Sequence, residues 1–151
     1  MQFMTTSRSE AETVFQVFKN AEGAELKPGE IVEYTNTTTD ADQGLSVELV
    51  DAECNATLGV AAKVAGVVTQ TVPTGAIRRL QVFGPANVRA SASFALGKLV
   101  VASSANATNI GHAVLASASS DSMPQYRCSI VGWTLENGPN ATNATVQLQI
   151  M

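Results

Sequence analysis

Charge is what this chain has least of. Asp, Glu, Lys and Arg make up 15% of its 151 residues, against about 25% in an ordinary soluble domain, and the polar remainder is largely Ser, Thr and Asn. Isolated proteins keep solubility through mixed surface charge, so an exterior this neutral is expected to be covered by a partner. The net charge is −4 and Arg78-Arg79 is the one adjacent basic pair, which excludes the basic stripe of a nucleic-acid binder. Aromatic residues are 5%, too few to line a sugar cleft, although Glu48, Asp51 and Glu53 lie close in sequence. Histidine occurs once, at His112, so a multi-histidine metal site and an H-E-x-x-H motif are both absent. No G-x-S-x-G elbow surrounds any serine, and Gly97-Lys98 lacks the rest of a P-loop. Asp40-Ala-Asp42-Gln-Gly44 starts like a calcium loop but lacks its later ligands. No apolar run reaches transmembrane length. The expectation is a protein that is not an enzyme, with no metal, cofactor, nucleic acid or membrane among its partners.

Cysteine is nearly as scarce. Cys54 and Cys128 lie far apart, form no C-x-x-C pair, and are expected to be free thiols. The first residues, Met-Gln-Phe-Met-Thr-Thr-Ser-Arg-Ser-Glu, lack the charged start and apolar core of a secretory signal, so cytoplasmic synthesis is expected. The five Asn-x-Thr sequons, at Asn36, Asn55, Asn106, Asn140 and Asn143, then read as Asn/Thr-rich loops and not as glycan sites.

What the chain does have is alternation. Leu80 and Val82 oppose Arg79 and Gln81. After Gly84-Pro85, expected to bend the chain, Ala86, Val88 and Ala90 oppose Asn87 and Arg89. Leu45, Val47 and Leu49 alternate with Ser46 and Glu48; Val131, Trp133 and Leu135 share a parity; Val146, Leu148 and Ile150 alternate with Gln147 and Gln149. Period-two runs of this length are half-buried strands. Further short strands are expected at 31–35, 57–61, 66–68, 99–101 and 111–115, with turns at Lys27-Pro28-Gly29-Glu30, Pro73-Thr74-Gly75 and Glu136-Asn-Gly-Pro-Asn140. Residues 13–19 are ambiguous: Ser9-x-x-Glu12 imitates a helix capping box, but Val14, Phe15, Val17 and Phe18 are strand formers, and a strand is expected. The inward set should be Leu80, Val82, Val88, Val131, Trp133, Leu135, Val146, Leu148 and Ile150. Many short strands at near-regular spacing indicate an all-β fold, a single-domain β-sandwich or barrel-like module spanning 13–151. Residues 1–12 precede it as an extended N-terminal arm whose Met1, Phe3 and Met4 suit docking on another surface.

The blocks 18–34 (Phe-Lys-Asn-Ala-Glu-Gly-Ala-Glu-Leu-Lys-Pro-Gly-Glu-Ile-Val-Glu-Tyr), 58–61 (Leu-Gly-Val-Ala) and 82–90 (Val-Phe-Gly-Pro-Ala-Asn-Val-Arg-Ala) carry a family resemblance. So do 95–101 (Ala-Leu-Gly-Lys-Leu-Val-Val), 130–136 (Ile-Val-Gly-Trp-Thr-Leu-Glu) and the closing Val-Gln-Leu-Gln-Ile at 146–150. From about Thr13 onward the chain resembles the small β-rich cement, or head-decoration, proteins of tailed bacteriophages, with Thr134 standing where that family usually has Ala. The resemblance implies a homotrimer on the outer surface of a virion capsid, partnered by the major capsid protein and stabilising its lattice. On it, Met1, Phe3, Met4 and Arg8 of the arm would be the capsid contacts. Similar modules occur in phage fibres, so the rival expectation is a fibre or receptor-binding module in which loop 102–109 or 116–125 engages a host ligand.

Overall fold

A computed structural model describes residues 12–35, 45–50, 64–102, 110–115, 130–136 and 143–150, and among these residues there are nine strands and no helix. They are β1 (Val14–Asn20), β2 (Ile31–Tyr34), β3 (Ser46–Leu49), β4 (Val64–Val68), β5 (Ile77–Arg89), β6 (Leu99–Ala102), β7 (Ala113–Leu115), β8 (Ile130–Thr134) and β9 (Asn143–Gln149). The hydrogen-bonded order is β1-β3-β2-β4-β5-β9-β8-β6-β7, and β1 also pairs with β5, which closes the first five strands of that order into a barrel. β1 and β3 run parallel, and the other pairings among the described residues are antiparallel. The expected all-β class is correct, and the ambiguous 13–19 stretch is a strand. The expected strand at 57–61 lies outside the described residues.

β5 holds the two parts together. Its first half pairs with β1 and β4 in the barrel wall, and its second half, from Phe83 to Arg89, pairs with β9. Gly84-Pro85 does not interrupt it, contrary to the bend expected above: Gly84 lies opposite Leu148 and Pro85 opposite Gln147 within one continuous strand. The β1 pairing ends at Phe83, so among the described residues Pro85 has a strand on one side only, where a missing N–H is tolerated. Gly84, at φ +95°, takes a conformation that disfavours a side chain, and a Cβ there would run into the Glu12 carbonyl and Thr13 backbone. The incoming chain therefore crosses β5 where it is bare.

Each part has its own core. Phe18, Leu26, Val32, Val47, Ala65, Val68, Val72 and Leu80 fill the barrel. A second core lies between the barrel exterior and the sheet continued by β9, β8 and β6, and includes Ile31, Val64, Val67, Val88, Val100, Val131, Val146 and Leu148. β4 is buried on both faces, Ala65 and Val68 to the first core, Val64 and Val67 to the second. That is why its sequence, Val-Ala-Gly-Val-Val, does not alternate.

The expected inward set needs correction at Trp133 and Leu135, which are 41% and 44% exposed. The cause is a bulge. β6 pairs Val100 with Gly132 but Val101 with Ile130, so Val131 is an extra residue. Gly132 and Thr134 then lie opposite the buried Leu148 and Val146, while Trp133 lies opposite Gln147. Thr134, buried where the resembling family has Ala, donates from Oγ1 to the Ala95 carbonyl at 2.6 Å and accepts from the Lys98 amide at 2.9 Å. Leu80, Val88, Val131, Val146 and Leu148 are buried as expected, Ile150 packs against the second core, and Val82 is half-buried. Gln81, expected outward, is buried: its amide donates to the carbonyls of Phe83 and Pro85 across a register shift that leaves Val82 unpaired with β1. Ser46 is buried opposite Lys19, where β3 meets β1, whereas Leu45 before it is exposed.

Asn20, fully buried, ties the turn after β1 to the chain before β5. Its Nδ2 donates to the carbonyls of Ala24 (3.0 Å) and Val72 (2.9 Å), and its Oδ1 accepts from the Glu22 amide at 2.8 Å. Asn20→Ala is expected to cost about 2 kcal/mol, because buried polar partners are left unsatisfied, whereas Asn87→Ala at an exposed site should be near neutral; urea unfolding of both variants checks this.

Candidate interaction surfaces

Among the described residues no group of three His, Cys, Asp or Glu side chains is placed to hold a metal ion, and no helix is long and apolar enough to cross a membrane, which says nothing of strands. Asp40, Asp42, Asp51, Glu53, Cys54 and Cys128 lie outside the described residues, as do Met1, Phe3, Met4 and Arg8 and the greater part of both candidate ligand loops.

His112 sits beside an ion pair. Arg89 Nη1 donates to Glu30 Oε1 at 2.8 Å, and Glu30 Oε2 accepts from the Lys27 amide at 2.7 Å. Backbone bonds from Ile31 to the Gly111 carbonyl and from Arg89 to the Gly29 carbonyl fasten the same corner, joining barrel to sheet. His112 Nδ1 is buried with no protein partner, and burial, then the Arg89 charge, hold its pKa below the usual 6.5 against the opposing pull of Glu30. The unfolded chain thus binds a proton more readily than the folded one. This contribution to stability is full above about pH 6.5 and is lost as pH falls toward the lowered folded value. Urea midpoints at pH 7.5 and 5.5 should fall further for wild type than for His112→Gln.

Among the described residues, exposed apolar side chains gather on two surfaces. Trp133 projects from the outer face of β8, with Leu99 of β6 on one flank, Gln147 of β9 on the other, and Pro85 of β5 beyond Gln147. That row contains no ionisable group, and the exposed Leu96 and Leu135 lie at the adjoining turns. A half-exposed Trp in a neutral row is the composition of an interface centre. The second surface is on the barrel. Phe15 and Val17 of β1, 44% and 57% exposed, and Ile77 of β5, 60% exposed, flank Arg79, whose guanidinium lies 5.5 Å from the Phe15 ring centroid. Neither surface was expected from the sequence. Two signals were there to be read: a glycine between Val131 and Trp133, which marks a bulge, and apolar residues at both parities in 14–18, more than a half-buried strand requires.

No protein-family model and no curated protein matches the chain. Four chains of solved structures do, and two of them follow. The base of the head fibre gp8.5 of bacteriophage phi29 aligns over 90% of this chain and 95% of its own, with a TM-score of 0.55 at 12% identity. A chain of the capsid of Myoviridae phage XM1 aligns over 93% of this chain and 86% of its own, with a TM-score of 0.57 at 14% identity. The fold is one that phage heads contain. At such identities the likeness is one of architecture, and it spans barrel and sheet together, so the resemblance to phage head-decoration proteins holds at the level of fold.

Proposed function

We propose that the chain is a structural protein of a phage head, a cement protein that sits on the capsid's outer surface as a homotrimer and stabilises the major capsid protein lattice. The observation that carries this reading is the nearly complete coverage of both neighbours, one from a head fibre base and one from a capsid. The low charge and the exposed Trp133 row support it, since both suit extended protein contact. The mechanism is mass action. A protein that binds only the assembled lattice stabilises it by about 2.7 kcal/mol per site at a hundred times its Kd, and three linked copies multiply weak contacts.

The second reading, the base of a fibre that engages a host ligand, is favoured by the phi29 neighbour. The arm separates the two. If Met1, Phe3, Met4 and Arg8 contact the capsid, deleting residues 1–10 leaves the oligomer unchanged by sedimentation and lowers occupancy on heated heads. Unchanged occupancy, with retained binding to host cells, would favour the fibre reading.

A further inference from the structure

We propose that residues 111–113 are an acid-released latch, which fastens the barrel to the sheet at neutral pH and lifts when His112 takes a proton. Gly111 holds the barrel side. Its carbonyl accepts from the Ile31 amide at 2.7 Å. It packs so closely on β2 and β3 that an added Cβ would meet Leu49 Cδ2 at 2.8 Å and the Ile31 carbonyl oxygen at 3.1 Å. Ala113 holds the sheet side. It bridges to Ala90, and its carbonyl accepts from the Ser91 amide at 3.0 Å and the Ser91 hydroxyl at 3.2 Å. His112 is the residue between these two attachments. β7, which follows, is the last strand of the sheet order and pairs along its length with β6. Among the described residues, the segment can therefore lift without drawing another strand with it.

The corner suits a neutral imidazole and not a charged one. Nδ1 is buried with no hydrogen-bond partner among the described residues, and a protonated ring must donate from both nitrogens. Two elements bring charge to it: Arg89 at the end of β5 and Glu30 just before β2. Arg89 is a like charge. Glu30 already has one carboxylate oxygen on Arg89 Nη1 and the other on the Lys27 amide. The segment's neighbours from β3 and β6, Leu49 and Ala102, are apolar. An imidazolium held here would keep a buried donor unpaired beside a guanidinium, whereas lifting 111–113 gives both nitrogens water. Burial and the Arg89 charge, which lower the His112 pKa, act in that same sense. The cost falls on the two attachments, since neither core includes His112. The proposal does not depend on the head assignment.

The test is amide hydrogen exchange on the full chain, read beside an NMR titration of the imidazole. His112 is the one histidine in the sequence, so its ring resonance is assigned without ambiguity. Between pH 7.5 and 5.0 the protection of the Ile31 and Ser91 amides, corrected for intrinsic rates, should fall by about threefold to 30-fold. The upper bound is set by a released imidazole of pKa about 6.5. The midpoint of that fall should match the imidazole titration, and the exchange should ignore low concentrations of urea, the mark of a local opening. His112→Gln should remove the pH dependence. No fall, or dependence retained in the variant, would overturn the proposal. So would a midpoint below that of the imidazole, which would assign the opening to a carboxylate. Exchange of both amides at the urea-sensitive rate of the Leu26 and Val72 amides, which bond each other's carbonyls in the barrel, would also overturn it, because acid would then unfold the whole chain. The midpoint and urea readings are made on wild type, so a variant that failed to fold would leave the test decisive. No capsid enters it, so its failure and that of the head reading are distinguishable.

Discussion

Gly132→Ala is expected to be the most damaging single-methyl change in the described part of the chain. The bulge at Val131 turns Gly132 toward the second core, between Val100 and Leu148, and a Cβ at that point would fall on the Gln147 carbonyl oxygen and crowd Val146. Neither neighbour can yield cheaply. The carbonyl belongs to β9, which is paired to β5 on its far side, and Val146 is fully buried. The methyl must therefore force β8 away from β9, the step that joins β6 and β7 to the rest of the sheet. Overpacking against rigid backbone costs about 3 kcal/mol, which in a chain of this size lowers Tm by about 6–12 °C. Gly23→Ala, with nothing within 4 Å of the added methyl, is the control and should leave Tm within about 2 °C. Thermal melts followed by circular dichroism separate them; equal Tm values would mean that β8 does not pack on β9 as described.

Trp133→Ala should do the opposite, sparing the fold and removing the function. The side chain is 41% exposed and the residues inward of it, Gly132 and Thr134, complete the core without it. Its loss should therefore change stability by no more than about 0.5 kcal/mol. If the Trp133 row meets the capsid, the truncation removes an interface centre worth about 2 kcal/mol or more, a roughly 30-fold weakening on heads. A variant that melts like wild type and binds heads like wild type would move the contact to the arm or the barrel.

Much of this architecture was legible in the residues. The alternation in 86–90 and 146–150 marked as strands the two segments whose pairing carries the sheet, and Gly/Pro spacing marked the turns at 27–30 and 73–75. The closed barrel was not legible, because closure depends on β1 meeting β5 at a distance of about sixty residues, and no local period encodes that pairing. Nor was β4's double burial, since a short continuous apolar run is ambiguous by periodicity alone. The Trp133 error has one source: a bulge inverts every side chain beyond it, so a correct strand assignment carried a wrong face. Gln81 and Thr134, on the polar parity of their strands, are buried because each sits beside a bulge and bonds backbone groups there, and Ser46 is buried where β3 meets β1.

The central claim is binding to an assembled head, and one titration tests it. Purified full-length chain is added to expanded heads that lack it, and in parallel to unassembled capsid subunits, and bound protein is counted after sedimentation. The cement reading predicts saturable binding to heads, a fixed ratio to lattice positions, no binding to free subunits, and a higher temperature for shell disruption once the sites are filled. Binding to neither at concentrations well above those that fill the sites of an ordinary micromolar complex, or equal binding to free subunits with no rise in shell stability, would contradict it.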